Sequence, residues 1–175
     1  ARISVQTNSI LWVAMQLQTK PKTYTAEEYL ELEAAGQERH EYRNGEIVTM
    51  TGGTTDHNQI AGNFYAYFKF ALKGQGYRAF IGDVKVWLPQ PNLYTYPDVM
   101  IVEGEPIYER ETQVTITNPC VIVEVLSPST QNYDRSEKFQ AYRTIPEFRE
   151  YLLIDQATYQ VEQYVKQTSD RWTLR

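Results

Sequence analysis

Three residues in the middle of the chain carry side chains that chemistry could use. Asp98 follows Pro97 in YPDVMIVEG, Glu124 lies within NPCVIVEVLSPST, and Lys138 lies within DRSEKFQAYR. An ionised carboxylate inside a strand of valine and isoleucine is costly unless something pairs with it. A divalent metal ion is one such partner. Period-two alternation puts Asp98, Met100 and Val102 on one strand face, and Ile122, Glu124 and Leu126 on one face of the later strand. If the strands are neighbours in suitable register, the two carboxylates face each other. Asp98 alone also reads as a strand-start residue bonded to local amides. Glu124, surrounded by aliphatics, calls more strongly for a partner.

Lys138 sits near the start of its helix, where the macrodipole disfavours a cation. It shares a face with Ala141, Tyr142 and Ile145, so its stem heads towards the core, with Tyr142 packed beneath it. The alternative is an ordinary lysine paired with Glu137 or Asp134. Taken together, an Asp, a Glu and a Lys make a hydrolytic set. The carboxylates hold Mg²⁺ or Mn²⁺, which polarises a phosphate and lowers the pKa of a bound water. The ammonium orients the nucleophile or steadies developing negative charge.

The elements that must position these residues are legible in the pattern. Thr25-Ala-Glu-Glu28 is a capping box opening a helix to about Ala35, stopped by Gly36. Asn44-Gly45 predicts a two-residue hairpin joining His40–Arg43 to Glu46–Met50. Ile60, Phe64, Tyr67, Phe68, Ala71 and Leu72 recur at helical spacing, which predicts a helix over about 56–73, ended by Gly74 and Gly76. A strand follows over 77–88, interrupted by Gly82, then Asp98–Val102, a polar loop over 103–118, and Cys120–Leu126, a strand apolar on both faces. Asp134-Arg-Ser-Glu137 resembles a second capping box and opens a helix to about Thr144. Strands over 150–155 and 160–166, and a short one over 171–175, complete the order. The fold class is α/β: an α+β mixed sheet with helices on both faces.

The 175 residues suit one domain with a sizeable core. Residues 1–22 show no capped periodic element. The first 14 read as an upstream extension, so the domain is expected over 23–175. The longest apolar run, Ser9 to Met15, is too short for a membrane span and lacks a basic flank. The single cysteine, Cys120, excludes an internal disulfide and a cysteine-rich zinc site, and reads as a buried thiol. These features suit a cytoplasmic protein. The net charge of −5, from 17 Lys plus Arg against 22 Asp plus Glu, argues against tight non-specific grip on nucleic acid by the monomer. It leaves room for a locally basic cleft.

Pro97-Asp98, a spacer of 25 residues, and Glu124-Val125-Leu126 resemble the PD-(D/E)XK nuclease superfamily. The wider set is similar to its restriction endonuclease-like branch, the Uma-two family. That set comprises HEYRNGEIV, His57 opening the next helix, GDVKVWLP, YPDVMIVEG, VIVEVLSPST and DRSEKFQAYR, and it spans about residues 24–165. The resemblance implies a restriction endonuclease-like α/β core and metal-dependent hydrolysis of phosphodiester bonds in DNA. Asp98 and Glu124 would be the metal ligands. Leu126 stands where the superfamily motif has lysine, which points to Lys138 on the following helix, with Lys85 a lesser substitute. Glu41 and Asp83 could complete the acidic site. Because duplex cutting by such folds usually needs two active sites, the resemblance also implies a homodimer.

Other candidates have two readings each. His57 could contact metal-bound water or substrate, or close the end of its apolar stripe. Ser127 and Ser129 could contact phosphate, or form the turn into the helix. Arg135 and Arg143, beside Lys138, make a modest basic group or a solvated face. Two further functional readings stand beside the nuclease: a non-catalytic binding or assembly module on the same fold, and a metal phosphoesterase for a small substrate.

Overall fold

The computed structural model describes residues 22–158 and 160–175. The expected extension over residues 1–14, and all of 1–21, lie outside the described residues. The capping box forms as the residue types require. Thr25 Oγ1 accepts from the Glu28 amide, and Glu28 accepts from the Thr25 amide, opening helix α1 (Ala26–Ala35). A hairpin follows, β1 (His40–Arg43) and β2 (Glu46–Thr49), turned by Asn44 and Gly45, both at positive φ. Thr54 caps helix α2 (Thr55–Ala71) by accepting from the His57 amide at 3.1 Å.

The stretch expected as one interrupted strand over 77–88 is two strands in two different sheets. β3 is Tyr77–Ile81 and β4 is Lys85–Leu88. Gly82 has φ +66°, which only glycine adopts freely. The tight bond from the Asp83 amide to the Ile81 carbonyl turns the chain out of the first sheet. β5 (Leu93–Thr95) and β6 (Val99–Glu103) follow. The loop over 103–118 carries a short strand, β7 (Thr115–Ile116), which pairs parallel with β4 and buries Ile116. Then come β8 (Val121–Leu126), β9 (Glu150–Asp155), β10 (Val161–Lys166) and β11 (Trp172–Leu174).

The larger sheet runs β11-β10-β9-β8-β6-β3 and the smaller β2-β1-β5-β4-β7. In the larger one β8 and β9 are parallel and the other pairs antiparallel, so the sheet is mixed. Alternation along β6, β8 and β9 divides the core. Val99, Val123, Val125 and Ile154 meet Ala61 of α2 on one face. Met100, Ile122, Leu126, Tyr151 and Leu153 meet Ala141, Tyr142, Ile145 and Phe148 on the other. α1 lies on the smaller sheet, where Tyr29, Tyr42 and Tyr94 pack together and Trp87 stacks on Tyr94 at 4.1 Å.

The helix between β8 and β9 differs from the expected one. It starts earlier, at α3 (Gln131–Tyr133), widens into a π-helical segment (Asp134–Lys138), and closes as α4 (Phe139–Tyr142). The turn Ser127–Thr130 nucleates it, since the Thr130 and Gln131 amides both donate to the Ser127 carbonyl. Asp134 is therefore inside the helix and buried rather than a cap. Phe148, fully buried beside Tyr142, Tyr151 and Trp172, anchors this face. Phe148→Ala is expected to cost about 3–5 kcal/mol in urea unfolding. Phe70→Ala, on the solvent side of α2, is expected within about 0.5 kcal/mol of the parent.

Candidate functional site

β6 and β8 are antiparallel, with Val99 opposite Val123. One step beyond that pair the same register sets Asp98 opposite Glu124. Glu124 lies on the face of Ile122 and Leu126, the face covered by α3, the π segment and α4, whereas Asp98, at the end of β6, reaches the first turn of α2. Asp98 is anchored at both oxygens. Oδ2 accepts the Val125 amide at 2.7 Å, and Oδ1 lies 2.9 Å from His57 Nε2. The first bond ties the side chain to the neighbouring strand where the regular ladder ends. The second brings in the first turn of α2. His57 fits there because residue 53 is glycine: a Cβ at Gly53 would fall 2.8 Å from the His57 ring.

Glu124 is 3% exposed. Its Oε1 accepts from Lys138 Nζ at 3.0 Å and from Tyr142 Oη at 2.7 Å. Its Oε2 accepts no hydrogen bond among the described residues. Lys138, 5% exposed, also lies 3.4 Å from Glu41 Oε1 and 3.4 Å from Asp134 Oδ1. The widened turn matters here, because Asp134 and Lys138 stand at its two ends and both face the site. Tyr151 Oη donates to the Asp134 carbonyl at 3.0 Å and braces the same turn from β9. Glu41 comes from the smaller sheet, so the ammonium joins the two sheets. Thr95, which the β1–β5 register sets opposite Glu41, donates to that carboxylate. Arg43, two residues along β1 and so on the same face, donates to its other oxygen through Nε at 2.9 Å.

The protonation states follow from this packing. Burial pushes the Glu124 carboxyl up to about 8, against the downward pull of Lys138 and with help from Asp98 and Asp134. Burial works against the Lys138 charge, but Glu124, Tyr142, Glu41 and Asp134 hold it well above its ordinary value. Burial also works against Glu41, yet Lys138, Thr95 and Arg43 keep its carboxyl below the usual range. The hydrogen bond to Asp98 holds the His57 imidazole above its ordinary value, against burial.

The donor set suits a hard divalent ion. Asp98 is partly open to solvent, and each of its oxygens keeps a further lone pair. Glu124 keeps Oε2. Among the described residues no group of three or more His, Cys, Asp and Glu is placed to hold a metal ion. Any ion held here would have at most Asp98 and Glu124 as protein ligands, leaving the rest of its shell to water and substrate oxygens.

The structure brings together Asp98, Glu124, Lys138, Glu41 and His57. It does not bring in Asp83, which is exposed and paired with Arg39. Lys85 is buried on β4 with its ammonium 3.4 Å from Tyr96 Oη, in contact with none of the cluster. The Ser127 hydroxyl closes its turn against Ser129 and Thr130 at 3.0 Å each. Arg135 is bound to Glu162. Asp134, read from the sequence as a cap and, in the alternative reading of Lys138, as its ion-pair partner, is that partner and is buried in the site. Sequence reasoning missed Arg43 and Tyr133. Glu41 and Arg43 at strand spacing was the signal for the first. A cavity of about 310 Å³ lies elsewhere, between the end of α2 and β3, lined by Phe68, Leu72, Tyr77 and Phe80 among others.

The frame of the site is a mixed sheet flanked by helices, with two carboxylates near the ends of adjacent strands. The family model Uma2, described as "Putative restriction endonuclease", matches residues 26–175, and the chain belongs to that family. Two relatives from Synechocystis are similar over most of their length. The uncharacterised protein sll1609 is 38% identical over 160 residues, covering 91% of this chain and 90% of that one. The uncharacterised protein slr1290 is 36% identical over 148 residues, covering 85% and 77%. In fold, the chain is similar to the crystal structure of a protein from Anabaena variabilis described as a putative nuclease. The TM-score is 0.68 at 21% identity, over 86% of this chain and 83% of that one. No helix among the described residues is long and apolar enough to cross a membrane.

The raised Glu124 value has a consequence for stability. Between its ordinary 4.5 and about 8 the folded state binds more protons than the unfolded one, so stability falls as pH rises through that window. His57, also raised, contributes stability below its ordinary 6.5 that is lost as pH rises through its folded value. Glu124→Gln removes the first contribution and keeps the second. Urea unfolding across this window is expected to show a shallower decline for the variant than for the parent; parallel declines would contradict the assignment.

Proposed function

We propose that the chain is an endonuclease dependent on Mg²⁺ or Mn²⁺ that hydrolyses phosphodiester bonds in DNA. The observation that carries this reading is the register of β6 against β8, which opposes Asp98 and Glu124 while Lys138 reaches Glu124 at 3.0 Å from the next helix. Asp98 and Glu124 would hold the ion. When bound, it would supply positive charge to the phosphate and a water of lowered pKa. His57 and the Val125 amide fix the Asp98 carboxylate, so it needs no reorganisation to bind. The Glu124 proton must leave before that carboxylate can act as a ligand, which couples binding to proton release. With Leu126 at the position of the motif's own lysine, Lys138 would take that lysine's part from the following helix. Its ammonium, held charged by Glu41 and Asp134, is placed to orient a nucleophile or steady negative charge on the phosphate. Membership of the Uma2 family supports the reaction class. A homodimer with two such sites would suit duplex cleavage, and a cytoplasmic location would suit the free thiol of Cys120.

One observation favours a second reading, a non-catalytic binding or assembly module. Glu124 and Lys138 are almost fully buried and already paired within the protein, with Tyr142, Glu41 and Asp134 as further partners. Calorimetry separates the two. On the nuclease reading, Mn²⁺ binds the parent, is lost in Asp98→Ala, and binds about tenfold more tightly per pH unit gained below about 8. Absence of binding to the parent favours the module.

The activity test incubates supercoiled and linear DNA, single-stranded DNA and RNA with Mg²⁺ or Mn²⁺. Cleavage is expected to fall at least about 100-fold in Glu124→Gln and in Lys138→Met, both checked for folding by thermal melts. Cleavage that survives both substitutions sinks the residue assignment.

A further inference from the structure

Arg43 is the residue at this site whose donors are least used by the protein itself. Its Nε and Nη2 both go to one oxygen of Glu41, Oε2. Its guanidinium lies over the Tyr133 ring, 3.7 Å from the centroid. A guanidinium has five N–H donors in a rigid fork. Among the described residues, Nη1 donates to nothing, although the side chain is two-thirds buried at 32% exposure. The group is thus held on one edge by a buried carboxylate and on one face by an aromatic ring. Its other edge is left open. Glu41, which orients it, is the same carboxylate that contacts Lys138, and Tyr133 also lies beneath the Lys138 ammonium, 5.9 Å from the ring centroid to Nζ. Arg43 itself is therefore beside the cluster, sharing Glu41 and the Tyr133 ring with Lys138.

A planar fork, preset by a carboxylate and an aromatic face beside a carboxylate–lysine site, with donors to spare, suits a tetrahedral oxyanion. We propose that Arg43 is a substrate-binding residue that takes a backbone phosphate of the nucleic acid at this site, with Glu41 and Tyr133 as the residues that position it. The inference rests on the nuclease reading above and names the contact by which the strand is held in place. It also accounts for how an acidic chain can engage a polyanion. One preorganised guanidinium at the point of contact does not require a basic face. Arg135, nearby on the same helix as Lys138, is already committed to Glu162 and Gln131.

The test measures binding of a short fluorescein-labelled DNA duplex, and of the matching single strand, by anisotropy in EDTA, where cleavage does not occur. Parent, Arg43→Ala and Arg43→Lys are compared over a series of KCl concentrations, with thermal melts and Mn²⁺ calorimetry on each. Arg43→Ala is expected to weaken binding about tenfold and to reduce the slope of log K against log salt by about 1. Arg43→Lys is expected to restore the slope, since the charge returns, and to recover only part of the affinity, since the fork does not. Mn²⁺ affinity is expected to stay within about twofold in both. An unchanged salt slope in Arg43→Ala, with loss of Mn²⁺ binding or of thermal stability instead, overturns the proposal and makes Arg43 a prop for Glu41. A parent that cleaves DNA while Arg43→Ala binds it as the parent does overturns this inference and leaves the nuclease reading standing. A parent that shows no salt-dependent binding to either strand form overturns both.

Discussion

The Lys138 ammonium is taken out of water and placed among three carboxylates drawn from three parts of the chain: Glu124 from β8, Glu41 from β1 and Asp134 from its own helix. A buried cation is tolerable only when paired, and a buried carboxylate likewise. Each partner therefore constrains the others. The larger sheet must present Glu124 inward, the smaller sheet must approach closely enough for Glu41 to reach, and the connecting helix must turn so that Asp134 and Lys138 both face the same point. Removing the lysine would strand two or three negative charges in a site nearly closed to solvent. The cluster thus sets the relation between the sheets as well as the chemistry available between them.

The helical irregularity follows from the same demand. The π-helical segment starts at Asp134 and ends at Lys138, and such widened turns frequently occur at functional sites. The local backbone is supported from outside: Tyr151 donates to the Asp134 carbonyl, and Phe139 stacks on the Tyr151 ring at 5.3 Å. Aromatic packing on β9 thereby holds the helix in the form that delivers its charged residues. Tyr142 does the complementary work from within, donating to Glu124 while filling the core beneath it.

Asp98 and Glu124 are held in unlike ways. Asp98 is at the edge of the core, bonded to an amide and an imidazole and partly open to water. Glu124 is sealed, shares its Oε1 between an ammonium and a phenol, and has its carboxyl pushed up to about 8 by burial. On the proposed metal-dependent reading, the open carboxylate would be preset for a cation, whereas the sealed one would first have to give up a proton.

Much of the framework was legible in the residues. The capping box at Thr25, the Asn44-Gly45 turn and the apolar stripe of α2 are local signals, because each is decided by contacts within a few residues. Period-two alternation likewise assigned Asp98 and Glu124 to faces that could meet. What the sequence left open was non-local. Whether Asp98 opposes Glu124 depends on the β6–β8 register, which is set by packing on both sheet faces. That Gly82 sends the chain into a second sheet depends on what lies beyond the turn. Asp134 has the residue type of a cap, and only the burial of Lys138 makes it a partner instead. Asp83 and Lys85 have suitable chemistry and lie near the motif in sequence, yet the turn at Gly82 carries them away from the cluster. Residue type and spacing determined which groups could do chemistry; the tertiary structure decided which of them share one buried site, because the cost of burying a charge is met only by partners brought from distant segments.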